Sequence, residues 1–280
     1  MLKNHRKKDI VIIVALFIAG LSILLYPWIS NSIYQYKADK EMKEYENLAY
    51  GKAGENQHKE ELKCAEKYNH SLLKEKVPDS FSEREGIHDD KEYEALLNPC
   101  GNGIMGIITI PSISVKLPIY HYTAKETLLE GAGHLFGSSL PVGGESSHTV
   151  LAAHRGLPSA KMFTDLDKLQ KNDVFYLDVL NRKMAYSIDL IKTVEPEDTS
   201  SLNIEEGKDF VTLITCTPYG RNTHRLLVRG HRVPYVEKEQ PQYDLMPWKH
   251  ILFAILGFLT AVLVLLGIYI IRRLRETIDE

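Results

Sequence analysis

The sequence has only three cysteines in 280 residues, and none stands at a spacing with histidine that would assemble a metal ligand set. Its acidic clusters, such as Asp89-Asp90, lack the pattern of a calcium loop. No metal or cofactor site follows from these residues. Charge of one sign is scarce too: 34 Lys and Arg against 37 Asp and Glu leave a net charge of −3. Such a balance offers neither a basic field for nucleic acid nor a strong acidic one, so nucleic-acid binding is not supported. Internal repeats are not evident.

What the chain has instead is uneven hydrophobicity. Its 44% apolar and 25% charged content is ordinary for a folded protein, but two blocks, Ile10 to Ile29 and Ile251 to Ile271, carry no charge at all. Each is long enough to cross a hydrocarbon core of about 30 Å as a helix. Lys3, Arg6, Lys7 and Lys8 precede the first block, and Arg272, Arg273 and Arg275 follow the second. The positive-inside rule therefore predicts two crossings, both termini cytoplasmic and the middle of the chain outside. A cleaved signal peptide is the rival for the first block. Its length, the want of a small-residue cleavage site and the interfacial Tyr26-Pro-Trp28 favour retention.

Between the blocks, residues 30–73 are polar with Tyr34, Met42, Leu48, Leu62, Ala65 and Leu72 at loosely helical spacing, which predicts two helices broken near Gly51 to Gly54. A charged loop follows over residues 74–90. From Gly103 to Pro234 come short apolar runs bounded by Gly, Pro, Asn and Ser: residues 104–110, 115–120, 149–153, 174–179, 184–194, 210–215 and 226–228. That pattern predicts a mainly β fold, a closed or nearly closed β-barrel with N-terminal helices and two flanking transmembrane helices. Residues 161–169 are a candidate helix within it.

The densest chemistry lies in Val211-Thr-Leu-Ile-Thr-Cys216-Thr-Pro-Tyr-Gly220, with Arg225 nine positions beyond the cysteine. A strand delivers a thiol to its end, Pro218 and Gly220 turn the chain, and His224 to Arg229 returns. The hairpin would hold a thiol beside a guanidinium that never loses its charge, the setting in which a thiolate becomes nucleophilic. His154, ending another apolar run in His148-Thr-Val-Leu-Ala-Ala-His-Arg-Gly156, is the candidate proton-transfer partner. Acyl transfer through a thioester is the inferred chemistry. His134, His148, His224 and His231 compete with His154, and Arg229 competes with Arg225.

These segments, with Asn98-Pro-Cys-Gly-Asn-Gly-Ile-Met-Gly106, Gly133-His-Leu-Phe-Gly-Ser-Ser-Leu-Pro-Val-Gly-Gly144 and Thr217-Pro-Tyr-Gly-Arg-Asn-Thr-His-Arg225, resemble the sortases, and more specifically the pilus-building class C, over roughly residues 60–275. The resemblance implies Cys216 as nucleophile, His154 as general acid and base, and Arg225 as oxyanion stabiliser. It implies substrates with a Leu-Pro-x-Thr-Gly-like sorting signal, cut between Thr and Gly and passed to a pilin lysine. A cell-wall-anchoring sortase using a peptidoglycan precursor amine, and a non-catalytic surface binding module, are the alternatives. Class C relatives carry a lid anchored by Asp-Pro-aromatic; here Asp79 and Phe81 match while Ser80 replaces the proline.

The predicted organisation is a basic tail (1–9), a transmembrane helix (10–29), a helical segment with the lid loop (30–98), a barrel catalytic domain (99–236), a linker (237–250), a second transmembrane helix (251–271) and a cytoplasmic tail (272–280). Cys64 and Cys100 both lie in the external portion, where a disulfide can persist; a bridge and two free thiols explain the sequence equally well.

Overall fold

The computed structural model describes residues 2–51, 55–72, 90–236, 257–258, 260–262 and 269. The chain divides into two units, Met1–Gln35 with Asp244–Glu280, and Tyr36–Tyr243.

In the first unit helix α1 begins, an α-helix spanning Leu2–Ala49 that continues through Pro27. The boundary expected between residues 29 and 30 is therefore not a break in secondary structure. Leu16, Phe17, Ile23, Leu24, Trp28 and Ile33 are all exposed on it, as an apolar surface destined for lipid would be. Among the described residues this is the one helix long and apolar enough to cross a membrane. Most of the second expected crossing, 251–271, lies outside the described residues.

In the second unit the rest of α1 turns amphipathic. Ala38, Met42, Tyr45 and Ala49 are buried at helical spacing, each large side chain contributing about 1.5–3 kcal/mol through burial. The Tyr45 hydroxyl donates to the Met105 carbonyl and accepts from the Leu180 N–H, both at 2.9 Å. Lys116 pairs with Glu46 at 3.0 Å. Helix α2, Glu55–Ser71, buries Leu62, Ala65 and Asn69. Asn69 spans the Leu140 peptide with both ends of its amide, at 3.1 and 2.7 Å. The expected break near Gly51 to Gly54 thus falls between two helices, as the spacing predicts.

Eight strands follow: β1 Ile104–Ile110, β2 Val115–His121, β3 Ala132–His134, β4 Ser147–Ala152, β5 Val174–Val179, β6 Arg182–Val194, β7 Asp209–Thr217 and β8 His224–Val233. They close into a barrel in the order β1-β2-β3-β4-β7-β8-β6-β5, with β1 pairing back to β5. Only β2/β3 and β4/β7 are parallel. Every residue of β1 and of β4 is buried, which is why β1 reads as a nearly continuous apolar run without alternation, while β4 carries Ser147, His148 and Thr149 into the interior. Leu135, Val150, Val194, Leu202, Ile214 and Leu227 form a core cluster.

Two features depart from the sequence reading. The three-residue β3 and the short helices α3 (Lys91–Ala95) and α4 (Lys125–Glu130) are additional. Residues 161–169 form turns with only a 3₁₀ segment at Leu166–Lys168. Their N–H groups are committed elsewhere: Phe163 donates to the His154 carbonyl at 3.1 Å and Leu166 to Phe163 at 3.1 Å, while Met162 has a positive φ of 39°, so an i→i−4 ladder cannot form. Of the two readings left open for Cys64 and Cys100, the structure has the free thiols. Cys64 is exposed on α2, whereas Cys100 is half-buried beside Glu44 of α1, and burial is the main cause raising its thiol pKa.

Two buried histidines give the barrel an acid-sensitive core. His134 contacts the Tyr93 hydroxyl at 2.7 Å and the Ser139 carbonyl at 2.9 Å; His148 contacts the Asn203 carbonyl at 2.9 Å and Thr212 Oγ1 at 2.7 Å. Burial lowers their pKa values to about 3 and about 4. The unfolded chain, titrating near 6.5, binds more protons between these limits. Stability should hold above about pH 6.5 and fall below it, at up to about 1.4 kcal/mol per pH unit for each histidine. Denaturant midpoints followed by tyrosine near-UV circular dichroism should show this loss. In His148→Gln the slope between pH 6.5 and 4 should be shallower; an unchanged slope would refute the assignment.

Candidate active site

The parallel pairing of β4 with β7 sends both strands out at the same end of the barrel. Its register runs from Ser147 opposite Asp209 to Ala152 opposite Ile214. The two chains stay side by side beyond the strand proper: the Ala153 N–H donates to the Ile214 carbonyl at 3.1 Å, and Thr215 Oγ1 donates to the Ala153 carbonyl at 2.8 Å. Ala152 and Ala153 are fully buried against this edge. The paired register ends with Ala152 opposite Ile214, two residues before His154 on one chain and two before Cys216 on the other.

On the other side of β7 the ladder is antiparallel, and Cys216 stands directly opposite Arg225. Opposed residues share one face of a sheet, with Cβ atoms about 4.5–5.5 Å apart. Thr217-Pro-Tyr-Gly220 makes the turn, closed by Pro218 carbonyl bonds from the N–H groups of Arg221 and Asn222 at 3.1 and 3.0 Å. Cys216, His154 and Arg225 are each half-buried, so all three can meet a substrate while partly shielded from water. Arg225 also reaches the carbonyls of His224 and Asn222 at 3.4 and 3.5 Å, which orients its guanidinium along the turn.

The other residues weighed from sequence lie elsewhere. Arg229 forms a fork to Asp189 at 3.1 and 3.2 Å, bonds Glu205 at 3.2 Å and lies over the Phe210 ring at 4.1 Å; those contacts fix it as part of the wall. His134 and His148 are buried in the networks described above. His224 pairs with Glu195 at 3.1 Å at the rim, and His231 lies 3.9 Å from Asp189. The lid candidates Asp79 and Phe81 lie outside the described residues.

Burial, followed by the charge of Lys125 on α4, lowers the pKa of His154. Sequence reasoning missed Lys125 because nothing in its spacing marks it. It also passed over Arg155, Thr217 and Tyr219, although all three stand inside quoted motifs. Tyr219 packs on Gly156, where an added Cβ would meet the ring at 2.6 Å and where φ is +76°. This contact joins the loop after β4 to the β7–β8 turn.

The architecture and site agree with comparisons to known proteins. Residues 108–233 match the family described as Sortase domain. Sortase D of Bacillus subtilis (strain 168) is 30% identical over 58% of this chain and 80% of its own. Among solved structures, sortase C-1 of Actinomyces oris is 49% identical with a TM-score of 0.60, covering 64% of this chain and 99% of that one. A Streptococcus pneumoniae sortase C, whose structure is described in terms of catalysis and pilin substrate specificity, is 42% identical with a TM-score of 0.65, covering 71% and 99%. The chain belongs to the sortase family, whose members are cysteine transpeptidases, and its structural likeness falls among the class C enzymes.

Two outcomes are expected at this site. Gly156→Ala should destabilise by about 1–3 kcal/mol through backbone strain and the Tyr219 clash, and Tyr219→Ala in the same chain should recover the steric part only, giving non-additive midpoints in denaturant. Lys125→Gln should raise the His154 titration, because removing a nearby positive charge favours imidazolium. The value should stay below the ordinary histidine range, since burial is the larger cause; NMR titration of the imidazole Cε1–H reads both.

Proposed function

We propose that this protein is a membrane-anchored, pilin-joining transpeptidase in which Cys216 is the nucleophile, His154 the general acid and base, and Arg225 the oxyanion stabiliser. The observation that supports the reading is the barrel-end register: Cys216 stands opposite Arg225 in one ladder, and β4, which leads to His154, runs parallel to β7 as far as Ala152 opposite Ile214 in the other. The substrate class follows from the likeness to the pneumococcal sortase C described for pilin substrate specificity and to a sortase C1 of a pilus island.

In this reading the Cys216 thiolate attacks the threonyl carbonyl of a Leu-Pro-x-Thr-Gly-like signal. The developing oxyanion is held by the Arg225 guanidinium, whose charge is fixed. Collapse breaks the Thr–Gly bond, and His154 gives its proton to the departing glycine amine. The threonyl thioester then meets a lysine amine, His154 takes back a proton as the new amide forms, and the thiolate leaves. Depression of the His154 pKa suits this cycle, because a weakly held proton is readily given to an amine.

The N-terminal helix, with its lipid-compatible apolar surface, and the charge-flanked run 251–271 are the proposed pair of crossings that hold the barrel outside the membrane. Both reactants would be tethered to the same surface, which raises their effective concentration. Asp79 and Phe81 are proposed to cover the site between turnovers.

Full-length protein in detergent micelles, given a sorting-signal peptide, should accumulate a threonyl thioester on Cys216 visible in intact mass. Adding a lysine-bearing pilin should discharge it to an isopeptide. Cys216→Ala should give no adduct, and Arg225→Ala should slow acylation by about 10²–10³-fold, as loss of an oxyanion donor does. An adduct persisting in Cys216→Ala, or wild-type acylation rates in Arg225→Ala, would overturn the assignment.

A further inference from the structure

Arg155 follows His154 directly, and Thr217 follows Cys216 directly. Its side chain is 9% exposed, so the guanidinium is carried almost wholly into the protein. Nη1 donates to Thr217 Oγ1 at 3.0 Å, and Nη2 reaches Asp167 at 2.6 Å in the loop after β4. The Nε–H is buried with no partner among the described residues. A charged group buried with one donor unpaired is a poor stabilising device, because the missing bond costs what desolvation takes away. Its retention next to the reacting groups calls for another reason.

The geometry supplies one. Beyond Ala153, strand pairing no longer holds the His154 segment to β7: the last backbone bond is from the Ala153 N–H to the Ile214 carbonyl, reinforced by the Thr215 hydroxyl on the Ala153 carbonyl. From His154 onward the chain turns away to be tied by Phe163 on its carbonyl and by the bond from the Gly156 N–H to Thr164 Oγ1 at 3.1 Å. The Arg155–Thr217 bond is a polar tie that crosses back from this loop to the cysteine-bearing strand. We infer that Arg155 is a positioning residue: anchored by Asp167, it binds Thr217 and so fixes the spacing between the His154 imidazole and the Cys216 sulfur. The inference rests on the catalytic assignment proposed above and adds to it a dedicated spacer. Proton transfer is steeply sensitive to such spacing, and a misplacement of about 1 Å can cost roughly 10²-fold in rate.

The test uses the full chain in detergent with the same sorting-signal peptide, and three variants. Thr217→Val keeps shape and removes the acceptor; Thr217→Ser keeps the acceptor and removes a methyl; Arg155→Met removes the donor. Thr217→Val and Arg155→Met should each lower kcat for acylation about tenfold or more with KM little changed, and each should shift the pH profile of Cys216 alkylation by iodoacetamide. Thr217→Ser should behave as wild type. The Arg155→Met, Thr217→Val double variant should be no slower than either single one, since both break the same bond. Wild-type kcat and alkylation profile in Thr217→Val, or fully additive losses in the double variant, would overturn the inference. Failure of the catalytic assignment itself reads differently: Cys216→Ala would then still form the adduct, whatever the Thr217 variants do.

Discussion

The site depends on one constraint of strand direction. A thiol at the C-terminal end of β7 can meet a second strand's C-terminal end only if that neighbour runs parallel, and a strand start only if its neighbour runs antiparallel. β7 has one neighbour of each kind. The C-terminal exit of β4, the C-terminal exit of β7 and the start of β8 therefore gather at one end of the barrel. A slip of one residue in either ladder would turn alternate side chains to the other face and separate the sulfur from the guanidinium. The core cluster beneath, drawn from β4, β6, β7 and β8 with Leu135 and Leu202, holds those registers because any slip would expose it.

How far this could be read from the sequence follows from where the information resides. Strand cores were legible because β-branched runs ended at Gly, Pro and Asn, and β1 and β5 coincide with the runs that marked them. The hairpin was legible for the same reason, since a turn between adjacent strands fixes their pairing locally. The neighbourhood of β4 and β7 was different: they are separated by two strands in sequence, and their parallel register is set by the barrel, so only the family resemblance could join His154 to the pair in advance. β3 escaped notice because three residues are too few to show a period. The loop over 161–169 misled because Lys161, Asp165 and Lys168 do pair at helical spacing, at 3.0 and 2.8 Å, while the backbone beneath them serves His154 and Phe163.

The free thiols of Cys64 and Cys100 teach a related lesson. An even pair in an external segment is a compositional argument, and a bridge needs Cα atoms within about 7 Å with converging Cβ vectors. Amphipathic packing settles which of the two open readings holds: the buried stripe of α2 is Leu62, Ala65 and Asn69, which leaves Cys64 on the exposed side, while Cys100 packs toward α1. The same stripe logic explains why α1 could be read in two halves although it is one helix. Its N-terminal half is apolar on its exposed surface and its C-terminal half on one side only, so hydropathy changes where secondary structure does not.

Position relative to the barrel end also sorts the histidines by what they can do. His134 and His148 sit inside the strand region, fully buried, with both ring nitrogens engaged by carbonyl or hydroxyl groups. Burial holds their pKa values near 3 and 4, so they stay neutral at physiological pH and act as fixed hydrogen-bonding rods. His154 lies two residues beyond the last residue of β4, half-buried, with a smaller cause of depression from Lys125 added to that of burial. A residue there keeps contact with solvent, which proton exchange requires. Distance along β4 thus converts one side-chain chemistry from scaffold to candidate catalyst: His154 lies six positions beyond His148, and the sheet's end lies between them. An imidazole that leaves the sheet loses the ladder that would have oriented it. The buried arginine at the next position, bonded to Thr217 beside the cysteine and to Asp167, is the contact proposed above to steady that segment.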